Sequence, residues 1–115
     1  MAESELTTRR EGDVVVITAP NYINQDGGEQ ISGAASTLAG DGCNRLVLNL
    51  TDCALANSVG ISFLIEVLEA NKEAGGHLAF CCVSRTIAKT LQIMGLLQTA
   101  TLHDSEEEAV SAAAG

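Results

Sequence analysis

A serine at the point where a strand gives way to a helix is the residue of this chain best placed to do chemistry. Ser58 follows an apolar run over 46–50 (LVLNL) and a linking stretch over 51–57, and it precedes a helical pattern. The start of a helix leaves backbone N–H groups unpaired, and the helix dipole favours negative charge there. Two roles fit such a hydroxyl. It can cap the helix, a common structural use of serine. It can instead be held out at the surface as a reactive group. Nucleophilic catalysis lacks its other parts. Ser58 is not in a G-x-S-x-G turn, and neither His77 nor His103 is placed by sequence to serve as its base. The carboxylates fall at helix ends and surface positions and suggest no acid/base pair. Gly27–Gly28 and Gly75–Gly76 form neither a dinucleotide fingerprint nor a phosphate loop. Cys43, Cys53, Cys81 and Cys82 show no C-x-x-C pair and no zinc spacing, and each histidine stands alone. No catalytic residue, metal site or cofactor is expected, and the chain is read as a binding protein rather than an enzyme.

The elements that must position Ser58 are legible from the periodicity. The run over 46–50 suits a strand covered on both faces. From Val59 the period becomes helical. Ile61, Leu64, Ile65 and Leu68 share a face, Phe63 and Val67 widen it, and Gly75–Gly76 ends it. This helix carries more apolar residues than one buried stripe needs. Either it is wedged deep in a small core, or part of its first turn, Val59 and Ser62 included, is left for a partner.

Upstream, a possible edge strand over 6–10 and a tight turn at 11–13 lead to a β-branched strand over 14–18. After a loop around Pro20, a helix is expected from near Asp26 to Glu29, with Asp26 a possible cap, through Leu38. Downstream, a buried strand over 78–83 places at least one of Cys81 and Cys82 in the core. A helix capped by Ser84 then runs to about Met94, with Ile87, Leu91 and Met94 inward. A short strand near 100–102 and a helix opened by the acidic stretch 104–108 complete the chain. Residues 1–5 and 111–115 are read as frayed ends. The alternation argues for βαβ units on a mostly parallel or mixed sheet of four to five strands with about four helices. The expected order is β-β-α-β-α-β-α-β-α, in one α/β domain spanning 1–115.

Composition narrows the partners. The chain has 115 residues, 46% of them apolar, a formal charge of −9 and no tryptophan. That charge opposes nucleic acid and anionic membranes, and the scarcity of aromatics gives little for stacking nucleobases. No apolar segment reaches the length of a membrane span and the N-terminus does not read as a signal peptide, so a cytoplasmic location is expected. The cysteines are then reduced thiols.

The stretch LVLNLTDCALANSVGISFL resembles the signature of STAS domains, and most closely that of the bacterial anti-sigma factor antagonists: an apolar strand, a polar link, then Asp-Ser-Ser/Thr-Gly-Leu opening a helix. The Gly-Gly before the 78–83 strand and Met94–Gly95–Leu96 are also similar to that family, and the likeness extends over nearly all of the chain. Ser58 matches the first serine, Val59 the following Ser/Thr, Gly60 the glycine and Ile61 the leucine. Asn57 stands in place of the aspartate, and Asn24 where the family often has a second one.

The resemblance implies a switch. An anti-sigma factor with serine kinase activity phosphorylates that first serine. The unphosphorylated antagonist binds the kinase and frees the sigma factor, and a serine phosphatase restores it. The implied phosphorylation site is Ser58. The implied partner-facing set is Asn24, Asn57, Ser58, Val59, Gly60, Ile61 and Ser62. The other role open to such a domain is a non-phosphorylated scaffold or subunit of a signalling or transporter complex.

Overall fold

The computed structural model describes residues 6–114. The expected fraying over 1–5 and at Gly115 lies outside them. Strands β1 (Thr7–Glu11) and β2 (Val14–Thr18) form an antiparallel hairpin. They are followed by β3 (Tyr22–Ile23), α1 (Gln25–Gly40), β4 (Arg45–Asn49), β5 (Leu55–Ala56) and α2 (Ser58–Glu73). The chain ends with β6 (His77–Cys81), α3 (Arg85–Ile93), a 3₁₀ turn (Leu96–Gln98), β7 (Thr101–His103) and α4 (Glu106–Ala114). The main sheet has the order β1-β2-β4-β6-β7 and is parallel throughout apart from the β1 hairpin. This is the α/β architecture expected from the sequence. Strands β3 and β5 add a second, two-stranded sheet where only loops are expected.

Side chains alternate across the main sheet and divide the core in two. Val15, Ile17, Leu46, Leu48, Leu78 and Phe80 face α1, α2 and α3, meeting Ile31, Ile61, Leu64, Ile87 and Leu91. Val14, Val16, Val47, Ala79 and Cys81 face α4 alone. The edge strand β1 is exposed throughout and carries Arg9, Arg10 and Glu11, charges that discourage pairing with another sheet edge.

Several element ends differ from expectation. Residues 111–114 are not frayed but continue α4, with Ala109 and Ala113 fully buried. The two alanines are four apart, so they share one face and lie against the small Ala79. The cap of α1 is Asn24, not Asp26: its Oδ1 accepts from Gly27 N at 2.9 Å. Met94 is exposed instead of inward, because α3 ends at Ile93 and Met94 lies beyond its buried stripe. Ser84 does cap α3, accepting from Ile87 N at 3.1 Å. No helix of the described residues is long and apolar enough to cross a membrane.

Polar contacts at both ends of α4 fix it to the sheet. Buried Asn49 donates from Nδ2 to Glu106 Oε1 at 2.8 Å and accepts from Thr51 N at 2.8 Å. Arg9 pairs with the other Glu106 oxygen. At the far end Arg45 donates to the Ala113 carbonyl at 2.8 Å, where a cation suits the dipole. The hydrogen bonds from Arg9 and then Asn49 hold the Glu106 carboxyl below its ordinary range. A lowered folded pKa adds stability above the unfolded value and loses it as pH falls through the folded one. Glu106→Gln should therefore be less stable than the parent at neutral pH, with the gap closing below about pH 4. Urea unfolding at several pH values checks this, and a gap that persists in acid would contradict it.

Candidate functional site

The site is built where the chain leaves the C-terminal ends of two adjacent parallel strands. After β2 and after β4 the backbone extends into β3 and β5, which pair in parallel with Tyr22 opposite Leu55 and Ile23 opposite Ala56. Ala54 N donates to Asn21 O at 2.9 Å and Asn57 N to Ile23 O at 3.1 Å. Each short strand runs into an asparagine and then a helix, so the starts of α1 and α2 lie side by side. In both helices the asparagine Oδ1 accepts from the N–H three residues on: Gly27 for Asn24, and Gly60 for Asn57, each at 2.9 Å.

The cap of α2 is thus Asn57, and Ser58 is the first helical residue. The capping role open to Ser58 is taken by its neighbour. Ser58 is exposed, and its hydroxyl makes no hydrogen bond among the described residues. Asn57 satisfies Gly60 N through its side chain and Ile61 N through its carbonyl at 2.9 Å. The N–H groups of Ser58 and Val59 lack helical partners by the geometry of a first turn and lie on the exposed side. No acidic residue occupies the first turn of α2. The Asn57 Nδ2 donates to the Tyr22 hydroxyl at 3.3 Å, tying the cap back to β3.

The residues expected to face a partner differ in exposure. Val59, at 47% exposed, and Ser62 are at the surface, and the Ser62 hydroxyl donates to Val59 O at 2.6 Å. Asn24 is half-buried. Gly60 and Ile61 are buried, so the assignment of these two as contact residues is corrected. Ile61 belongs to the core. Gly60 lies against β3 so closely that any Cβ would overlap the Ile23 carbonyl, as one on Gly27 would overlap the Tyr22 carbonyl. Two residues missing from the sequence reading, Tyr22 and Leu55, join the surface. They are 36% and 57% exposed and lie opposite each other in the small sheet. Their sequence signal is weak, since an apolar side chain in a loop can equally be buried, as Ile23 next to Tyr22 is.

His77 starts β6 opposite Arg45, at the other end of β4 from the site, and His103 bonds Thr101. No group of three His, Cys, Asp or Glu side chains is assembled for a metal among the described residues. A groove of about 330 Å³ runs between the C-terminal halves of α1 and α2, lined by Ser32, Ala35, Ser36, Ala70 and Ala74, away from Ser58. A smaller hollow of about 170 Å³ lies beside Pro20, Tyr22 and Asn24. Ser58 lines neither.

With that geometry established, the sequence matches the STAS domain family over residues 5–109. The chain belongs to that family. Its fold superimposes on a putative anti-sigma factor antagonist from Thermotoga maritima with a TM-score of 0.84 and 19% identity, covering 96% of this chain and 95% of that one. The anti-sigma factor antagonist SpoIIAA in its unphosphorylated form gives a TM-score of 0.76 at 20% identity, covering 96% and 98%. The phosphorylated form of SpoIIAA, the Bacillus cell fate determinant, gives 0.75 at 22% identity, covering 93% and 97%. At these identities the three structures establish a shared STAS fold.

The cap geometry makes a direct test of the local design. Asn57→Ala should lower stability by about 1 kcal/mol, whereas Asn57→Asp, which keeps the accepting oxygen, should stay within roughly 0.5 kcal/mol of the parent. Gly60→Ala should be the most damaging of the three, by roughly 2–4 kcal/mol, because the obstacle is backbone and not a movable side chain. Chemical denaturation ranks the variants, and a tolerated Gly60→Ala would refute the packing argument.

Proposed function

We propose that this STAS domain is an anti-sigma factor antagonist, switched by phosphorylation at Ser58. Its unphosphorylated form docks the surface formed by Tyr22, Leu55, Ser58, Val59 and Ser62 onto an anti-sigma factor that is also a serine kinase. A serine phosphatase reverses the modification. The observation that carries this reading is an exposed, unengaged hydroxyl on the first residue of α2, beside exposed apolar side chains and outside the larger hollows. A surface of that kind fits another protein better than a small substrate.

The physics of the switch is local. Phosphate brings roughly −1.5 to −2 charges and three acceptor oxygens. On Ser58 it meets the positive end of the α2 dipole, the N–H groups of the first turn, and no acidic side chain in that turn. The domain therefore accommodates the charge. A partner packed over Val59 and Leu55 meets bulk and an ion it must desolvate. A loss of about 1.4 kcal/mol already weakens binding tenfold. Asn57, standing where the family has an aspartate, keeps the cap and removes a like charge next to the modified residue.

Incubation with the cognate kinase and ATP should label the wild-type chain on Ser58 by mass spectrometry, and Ser58→Ala should abolish the label. Ser58→Glu should weaken kinase binding by about tenfold or more. NMR shifts on phosphorylation should stay within the first turn of α2 and β3. Labelling that persists in Ser58→Ala, or a glutamate variant that binds as tightly as the parent, would overturn the assignment.

A further inference from the structure

The end of β6 carries an arrangement that the Ser58 switch does not use. Successive residues of a strand point to opposite faces, so adjacent cysteines ordinarily put their thiols on opposite sides of a sheet. Here they do not. Cys82 has φ of 63°, the one residue other than glycine with positive φ among the described residues. The left-handed backbone breaks the alternation. Cys81, fully buried, and Cys82, half-buried, both pack into the cluster beneath α4 with Val16, Ala79 and Ala109. Burial first, and then a side-chain hydrogen bond with the Cys82 thiol, push the Cys81 thiol up to about 12. Both thiols therefore lie on the α4 side of the sheet. Backbone bonds frame the pair: Leu50 N donates to Cys81 O at 3.0 Å, and Cys82 N to His103 O at 3.3 Å.

A β-branched or bulky residue in this backbone region is strained, and such strain persists only where the surroundings enforce it. Cysteine has no favourable local hydrogen bond of the kind that lets asparagine or aspartate adopt it. The peptide bond between Cys81 and Cys82 is trans, so the two Cα atoms are held about 3.8 Å apart. That is shorter than the usual disulfide span of roughly 4.4–6.8 Å, so a bond between these sulfurs is strained and readily reduced.

We propose that Cys81 and Cys82 form a vicinal dithiol that a hydroperoxide converts reversibly into an intrachain disulfide, a modification site independent of Ser58. Cys82 is the more accessible and reacts first. Its thiolate sulfur attacks the peroxide, an S–O bond forms, the O–O bond breaks, and the departing oxygen takes a proton as water or alcohol. The Cys81 sulfur then attacks the Cys82 sulfenic acid. The S–S bond forms, the S–O bond breaks, and hydroxide leaves with the Cys81 proton as water. The two thiols together lose two electrons and two protons to the peroxide. Cys81 keeps its proton until the second step, so it stays inert until its neighbour has been oxidised.

The arrangement of tryptic sites makes the test direct. Cleavage after Lys72 and Arg85 releases peptide 73–85, which holds Cys81 and Cys82 and neither of the other cysteines. The folded chain is treated with hydrogen peroxide, its remaining thiols are alkylated, and it is digested without reductant. Most of peptide 73–85 should appear unalkylated and lighter by two hydrogen atoms, and treatment with dithiothreitol should restore it. Cys82→Ser should abolish the mass loss. Cys82→Gly, which suits the left-handed backbone, should also abolish it in a chain that circular dichroism shows to be folded. Oxidation that ends at Cys82 sulfinic acid, or a link to Cys43, Cys53 or a second chain, would overturn the proposal. Kinase labelling of Ser58 is a separate measurement, so either idea can fail alone.

Discussion

The position of Ser58 depends on one close approach, the first turn of α2 against the carbonyl of Ile23. That carbonyl accepts the Asn57 N–H and lies under Gly60, where no side chain would fit. A strand pair of two residues each has little stability of its own. It is held because each strand is continuous with a capped helix, and because Ile23 is fully buried in the larger core. Core packing thus fixes β3, β3 fixes the backbone path of β5, and β5 delivers Asn57 and Ser58 to the surface. The strands β2 and β4, from which these segments emerge, are parallel neighbours. The site therefore sits beyond the carboxyl ends of a parallel sheet, the usual place for function in open α/β folds.

The two asparagines explain how the chain keeps this geometry without the acids that the family pattern leads one to expect. An N-cap needs an oxygen that accepts from the first turn, and asparagine serves about as well as aspartate. Both positions are caps, so replacing the acid removes charge while leaving the hydrogen bond in place. The amide also adds a donor, used by Asn57 toward Tyr22. In a chain of net charge −9 this leaves the start of α2 locally uncharged, beside Tyr22, Leu55 and Val59. The substitutions act on the electrostatic field at the site more than on the fold.

The sequence disclosed the elements whose pattern is long enough to repeat. The β-branched run at 14–18, the apolar strand at 46–50 and the face of α2 from Ile61 to Leu68 all read correctly, as did the Ser84 cap. Strands of two residues, such as β3 and β5, are too short to show any period. The start of α1 was obscured by Gly27 and Gly28, residues poor in helices by propensity but placed where the helix lies on the Tyr22 carbonyl and on the Phe63 side chain respectively, so tertiary contact overrode preference. The tail AVSAAAG looks weak because alanine buries little area. Its residues through Ala114 belong to α4 because alanines four apart meet a small residue on the sheet and because Arg45 holds the helix end. The choice between Asn57 and Ser58 as cap is invisible to composition, since both residue types cap well. The geometry of β5 decides it.

A phosphate on a first turn held in this way has few means of relief other than through its surroundings. The backbone is fixed at Asn57 by Ile23, at Gly60 by the cap and the β3 carbonyl below it, and at Ile61 by the core. Moving the turn outward would break these contacts together, at a free-energy cost of several hydrogen bonds and a buried isoleucine. Letting the charge rest among free N–H groups at the helix start costs much less. Under the proposed phosphorylation the lower-energy response would be for the domain to stay still, so that a partner lying against Val59 and Leu55 would feel the new charge. In the proposed switch, rigidity at the base of the turn would convert a local modification into an intermolecular signal, and Gly60, although buried, is central to that rigidity.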